Sequence, residues 1–499
     1  MVLALVAALA GAVAGGRAGA DPIVATVPLG QNPTAWRPVL DTRTGRVFIW
    51  PLNAGSVRVL DVSTGTLLKT VAIESGPMPT DVYGLVVNEQ MGRVFAVSVP
   101  AMGSTPLVGH VIALDARSGR LVYRTPVTLG GTMSALAVDA RARRVFVLGF
   151  PDYLPGGATP DPVRDAVRLS ILDATTGRLV RILRLRPPRQ TGSGGFSVGP
   201  PLAVDTRTHR LYVSAFDHSG VDVFDTSRGR LLRSVALPHL APAQAQGVTL
   251  MGSAILVNER LGRVYVTTTV QGSGTLATLD ASGGRVLHAV RLTPFGSPVV
   301  DIPTRRTFVA DGARGRLLIL GALSGRQIGT VKAAGSLPPL PGRLVVDERS
   351  GRIVELTSGG TTIKIRDGTS GRLRHEVTVG SYPAGVAIDE QSGRIFVPSL
   401  GPIDRMRGPT GAGSLQVVDE RTGALVRTVG VGRAPYAVAL DGPARRALVF
   451  NMGGSTVQAS APWGWVPPWL RRVLPFLPRR TPQTHTMPAS VTIIDTSRL

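Results

Sequence analysis

An arginine stands five residues after an acidic or amide residue at nine places along this 499-residue chain. The pairs are Asp41/Arg46, Asn88/Arg93, Asp139/Arg144, Asp205/Arg210, Asn258/Arg263, Asp301/Arg306, Asp347/Arg352, Asp389/Arg394 and Asp441/Arg446. Successive pairs lie 42 to 66 residues apart, a period that marks a repeat architecture. Each arginine opens a run such as Val264-Tyr265-Val266 or Ile395-Phe396-Val397, which is strand chemistry. The acid or amide before it suits a tight turn, because its side chain accepts backbone N–H groups there. The arginine, across the neck of the same hairpin, is placed to neutralise that carboxylate.

A second hairpin follows in the first eight units, where an Asp precedes a glycine by four residues: Asp61/Gly65, Asp115/Gly119, Asp173/Gly177, Asp225/Gly229, Asp280/Gly284, Asp367/Gly371 and Asp419/Gly423. The sixth unit has Gly321 in place of the Asp and keeps Gly325. Glycine supplies the left-handed backbone that closes such a turn. Two hairpins per unit make four strands, and four-stranded units in series predict an all-β, closed β-propeller. Nine units exceed the usual four to eight blades, so a degenerate sixth unit, or an eight-bladed ring with a displaced repeat, is the alternative. The last unit ends in one strand and a turn, residues 491–499, without a fourth strand. Residues 23–27, Ile-Val-Ala-Thr-Val, are written like that missing strand, and pairing the two would close the ring.

The units also carry a family resemblance. The stretch GSYPAGVAIDEQSGRIFVPS, continuing to SLQVVDERTGALVRTVGVG (residues 380–432), and the RVYVTT run at 263–268 resemble the YVTN-type β-propeller repeat of exported bacterial and archaeal proteins, the YncE-like group included. The resemblance covers the chain after Asp21 and implies a fold rather than an activity. Some YncE-like proteins are associated with single-stranded DNA, so it also implies a nucleic-acid alternative.

Apolar residues make up 43% of the chain, ample for a large core. There is no cysteine, which excludes disulfides, thiolate metal sites and cysteine nucleophiles. The formal charge is +23, and Lys69, Lys332 and Lys364 are the only lysines. An arginine surplus of this kind fits a compositional bias as well as a surface for polyanions. Residues 2–14 form an apolar run followed by Ala18-Gly19-Ala20, which reads as a signal peptide ending before Asp21 or as a weak N-terminal anchor. The run is too short for a membrane-spanning helix, which needs about 20 residues. The expectation is an exported protein, periplasmic, cell-surface or secreted, with residues 21–499 as one propeller domain and a monomer as the default.

Every long insertion falls between second and third strands (99–110, 149–165, 399–414, 452–489) or between units (186–201, 238–253). In a propeller these connections crowd one end of the ring, whereas the short hairpins share the other. Loops on a rigid scaffold carry function, so the long-loop rim is the expected binding face. Its candidates are Asp152, Tyr153, Asp217 and His218, with Trp463, Trp465, Trp469, Arg471 and Arg472 in the longest insertion. Five prolines within residues 461–480 forbid a long helix there. That segment suits a lid over the channel, a peripheral membrane contact, or a partner-docking loop rich in Trp and Arg.

Catalytic motifs are missing: no HExxH, G-x-S-x-G, P-loop or zinc spacing occurs, and seven histidines are scattered. No metal or other cofactor is therefore expected. A carboxylate–histidine site at Asp217 and His218 is weighed against an ordinary solvated loop, and with it a propeller hydrolase or lyase built from several blades. The leading expectation is a non-enzymatic scaffold for a protein or envelope polymer. Polyanion or single-stranded DNA binding is the first alternative.

Overall fold

In a computed structural model of the chain, residues 21–499 are described apart from the segments 31–36, 51–54, 74–79, 101–106, 130–133, 150–166, 186–200, 216–219, 239–249, 271–272, 294–297, 312–313, 334–343, 357–359, 405–407, 410 and 460–481. All of these segments connect second to third strands or one repeat to the next.

Nine four-stranded antiparallel sheets follow one another along the chain. The first runs through Arg37–Asp41, Arg46–Trp50, Ser56–Asp61 and Leu67–Ala72, each strand pairing with the next. The ring has nine blades, not eight. The sixth unit, which lacks the second-hairpin Asp, still forms a whole blade from Val299–Asp301, Arg306–Asp311, Arg316–Gly321 and Gln327–Lys332. Its second turn closes through the Gly325 N–H to the Gly321 carbonyl at 2.7 Å, the bond made by Gly371 and Asp367 in blade 7, so the turn needs no Asp side chain to form.

The ninth blade closes the ring. Its strands are Pro435–Asp441, Arg446–Asn451 and Ala489–Asp495, and its outermost strand is Ile23–Gly30 from the other end of the chain. Ile23 faces Ile494 and Val27 faces Val491 in that register. Closure is apolar as well as hydrogen-bonded. Val27, Leu29, Phe450, Val491 and Ile493 of blade 9 pack against Val47, Ile49, Leu60 and Val62 of blade 1. The core as a whole is nine such clusters, one per junction between adjacent blades.

First strands of successive blades adjoin around the axis and wall the central channel, while fourth strands face outward and are largely exposed. Burial on both faces explains the split: a second strand such as Arg144–Gly149 reads as a near-continuous apolar run, and a third strand such as Val167–Asp173 is buried along its length, with Arg168 and Ser170 among the buried residues. A 3-10 turn lies at Thr496–Arg498, and among the described residues no helix is long and apolar enough to cross a membrane.

Candidate functional site

At the short-turn end, each blade places its two hairpins side by side. In eight blades a backbone N–H of the second hairpin, and in the ninth one of the C-terminal turn, donates to the carbonyl of the residue before the repeat arginine: Val62 to Gly45, Ala116 to Gly92, Ala174 to Arg143, Thr226 to His209, Ala281 to Gly262, Ala322 to Arg305, Gly368 to Gly351, Glu420 to Gly393 and Thr496 to Arg445. The repeat arginine sits between two acids in the ladder, as in Asp41, Arg46 and Asp61. Sequence reasoning pairs the arginine with the first acid. The ion pairs run instead to the second: Arg144 to Asp173 at 3.2 Å, Arg446 to Asp495 at 3.3 Å, Arg263 to Asp280 at 3.7 Å and Arg46 to Asp61.

Burial explains the correction. Asp41, Asp139, Asp205 and Asp301 have no exposed surface, and each gives at least one oxygen to its own turn, although Asp205 Oδ2 has no hydrogen-bond partner. Arg43 N–H and Thr44 Oγ1 donate to Asp41, and the Arg207 and Thr208 N–H groups donate to Asp205. Asp139 accepts from Ala142 N–H at 2.9 Å and, across the blade junction, from Thr226 Oγ1 at 2.6 Å, with His209 Nδ1 3.3 Å away. The outer acids are nearer solvent and hold their charge. Against the desolvation of its partial burial, the Ser63 hydroxyl, the Thr64 N–H and Arg46 keep the Asp61 carboxyl down at about 2. Ser118 likewise lowers the Asp115 carboxyl, and Arg374 with Ser370 lowers that of Asp367.

The second-hairpin glycines have two reasons to be glycine. Gly371 has φ +70°, and a Cβ there would lie 2.7 Å from the Ile319 side chain of the preceding blade. The turn is left-handed and also tucked against its neighbour.

Two features of this end had no place in the sequence reading. The first is Glu420, buried beneath the first hairpin of blade 7, at a position where the other blades have Val, Ala, Thr or Gly. Ser350 Oγ donates to its Oε1 at 3.0 Å and Arg352 lies 3.6 Å from its Oε2. Burial, together with the hydrogen bond to and charge of Asp347, raises its carboxyl to about 7. The residue type alone, a glutamate where the repeat has small side chains, was the available signal. The second is the position before the repeat arginine. It is glycine in five blades, with φ of 61° to 66°, but Arg143, His209, Arg305 and Arg445 adopt the same left-handed backbone, with φ of 52° to 55°. A non-glycine residue there costs roughly 1 kcal/mol or more.

Three of the first strands that wall the channel, Leu202–Asp205, Val299–Asp301 and Leu344–Asp347, are aliphatic up to the acid at the turn. Leu256 on this wall is 38% exposed. Among the described residues no group of three His, Asp or Glu side chains could hold a metal ion.

The long-loop end is described only at its stems. A ribbon of Gly454–Ala459 and Pro482–Met487 leads into and out of the longest insertion, and a small hairpin, Ile403–Asp404 with Gly408–Pro409, projects from blade 8. The sequence candidates Asp152, Tyr153, Asp217, His218, Trp463, Trp465, Trp469, Arg471 and Arg472 all lie outside the described residues.

No protein-family model matches this chain, and no curated protein does. Among solved structures, the dihydro-heme d1 dehydrogenase NirN is similar at 13% identity and TM-score 0.46, over 78% of this chain and 73% of that one. A europium-containing methanol dehydrogenase matches at 12% identity and TM-score 0.44, over 75% and 85%. Saccharomyces cerevisiae Sqt1 matches at 9% and 0.46, over 84% and 97%. None of the activities in those names transfers to this chain at such values.

Proposed function

We propose that this protein is an exported, non-enzymatic recognition scaffold of the YVTN type, which binds a protein or envelope polymer through the long-loop end of its propeller. One observation carries the reading: sequence length varies only at that end. Second and third strands are joined within a few residues from Asp311 to Arg316 in blade 6, but only after the whole stretch from Asn451 to Ala489 in blade 9. A scaffold that holds one end constant nine times while lengthening the other supports recognition by loops. The nine rim residues named from sequence remain its candidates, with the Trp and Arg of residues 461–480 as anchors.

The test uses chain 21–499 and a variant whose residues 461–480 are replaced by a short Gly-Ser linker. Both are sedimented with envelope material of the source organism. Retention of the parent and loss by the variant, with thermal unfolding unchanged, is the expected result; equal retention refutes the reading.

A second reading is favoured by one observation: Arg120, Arg178, Arg230, Arg285, Arg326 and Arg372 follow the second-hairpin glycines and are all exposed. They support binding of a linear polyanion such as single-stranded DNA. Anisotropy of a labelled oligonucleotide across a salt series tests it. Binding that disappears by physiological salt refutes a shaped site.

A further inference from the structure

One feature of the nine first hairpins returns every third blade. An arginine two residues after the acid or amide does not: it stands in blades 1, 3, 4, 5 and 7, at Arg43, Arg141, Arg207, Arg260 and Arg349. Nor does a glutamate directly after it, found in blades 2, 5, 7 and 8 at Glu89, Glu259, Glu348 and Glu390. An arginine in front of the repeat arginine is confined to blades 3, 6 and 9: Arg143, Arg305 and Arg445.

One contact does keep the three-blade period. The turns of blades 1, 4 and 7 each donate to the glutamate of the next blade. Thr42 N–H and Oγ1 reach Glu89 at 3.2 and 2.8 Å, Thr206 N–H and Oγ1 reach Glu259 at 2.6 and 2.8 Å, and Glu348 N–H reaches Glu390 at 3.3 Å. Those three acids are engaged within the ring. The arginines in front of the repeat arginine in blades 3, 6 and 9 are different. Arg143, Arg305 and Arg445 are exposed, and none has a carboxylate within ion-pair distance among the described residues. All three hold the left-handed backbone that five other blades give to glycine. Standing three blades apart in a closed ring of nine, they divide the channel mouth into thirds.

We propose that the short-turn mouth of the channel docks a three-fold symmetric protein assembly, coaxial with the ring, whose acidic groups meet Arg143, Arg305 and Arg445. Charge complementarity names the sign of the partner, and spacing names its symmetry. A residue that disfavours its own turn persists where an external contact requires it. The same residue, in the same backbone state, at each third of a ring presents one contact three times, which is what a partner with a three-fold axis can use. A single exposed ion pair contributes little, so three joined contacts are needed before binding is specific, and their gain is one of valency. A linear polyanion has no use for equal thirds and would be served as well by the arginines of the outer hairpins. This docking surface is independent of the long-loop reading, since it lies at the opposite end of the blades.

The experiment compares three probes carrying one acidic tail of six glutamates on a flexible Gly-Ser linker: a trimeric coiled coil with three tails, a dimeric one with two, and a monomeric peptide with one. Binding to chain 21–499 is followed by biolayer interferometry at matched tail concentration. The trimer should bind at least about tenfold tighter than the dimer. Arg143→Gly, Arg305→Gly and Arg445→Gly should each weaken the trimer by a similar factor, and the triple variant should reduce it to the level of the monomer. The triple variant should keep or raise its unfolding temperature, because glycine adopts the turn without strain. Affinity that ignores valency, or a triple variant that binds the trimer unchanged, overturns the proposal. So does an inorganic polyphosphate that binds as tightly as the trimer and loses as much in the triple variant. Replacing residues 461–480 leaves every one of these outcomes in place, so failure here and failure of the long-loop reading are separate results.

Discussion

The two ends of the blades follow opposite rules. At the short-turn end, four residues separate the acid or amide from the arginine in every blade, and the same N–H to carbonyl bond ties the second hairpin, or in blade 9 the C-terminal turn, to the first hairpin nine times. At the other end nothing recurs, and the connection between second and third strands is short in blade 6 and very long in blade 9. The difference teaches where the sequence is constrained by the ring itself. A buried aspartate that satisfies its own turn cannot be exchanged without orphaning donors, whereas a loop past the end of a strand has no such obligation.

Removing the closing strand should have the largest effect on that contrast, because it strikes the ring and not one end. Deleting residues 23–30 takes Val27 and Leu29 out of the blade 9 to blade 1 core and bares the edge of Ala489–Asp495. At about 2 kcal/mol for each buried side chain, at least about 4 kcal/mol should be lost in denaturant titration, with aggregation through the open edge. Next comes the inner acid. Asp139→Ala leaves the donors of Ala142 and Thr226 unpaired, and chemical denaturation should show a loss of about 2 to 3 kcal/mol.

Glu420 gives a test by pH. Its carboxyl is raised from 4.5 to about 7 in the folded chain, so the folded state holds a proton that the unfolded state releases. The stabilisation is complete below about pH 4.5 and is lost as pH rises through about 7. Asp347, held low by Glu420, Ser350 and Arg349 against the desolvation of its own burial, acts in the opposite sense at more acid pH. Between about pH 5 and pH 8 the free energy of unfolding should therefore fall by on the order of 2 kcal/mol, and Glu420→Gln should flatten that slope. The smallest effect belongs to the outer ion pairs. Arg46 and Asp61 are both partly exposed, and Arg46→Ala should cost under about 1 kcal/mol by the same titration.

Much of the ring was legible in the sequence because its signals are local. A glycine four residues after an acid fixes a turn, and Ile23-Val24-Ala25-Thr26-Val27 reads as the strand that the last blade lacks, which is what Ile23–Gly30 does. The partner of the repeat arginine was not legible. Asp41 and Asp61 are the same residue type on either side of Arg46, and only burial decides which of them is free to pair. Glu420 and the left-handed arginines were missed for a related reason: each is a departure at one position that acquires meaning only from the neighbouring blade or from the ring as a whole. The rim candidates from Asp152 to Arg472 rest on where the chain lengthens, and that alone places a face rather than a contact.

The account depends on a closed ring of nine blades fused at one end, and hydrogen–deuterium exchange of the nine bridging amides tests this most directly. The amides are those of Val62, Ala116, Ala174, Thr226, Ala281, Ala322, Gly368, Glu420 and Thr496. A closed ring predicts that all nine, with the amides of the closing strand at Ile23–Gly30, exchange through one shared opening of similar free energy. Exchange that begins at Thr496 and Val62 and spreads blade by blade from that junction would contradict closure, and with it the division between a fixed end and a free one.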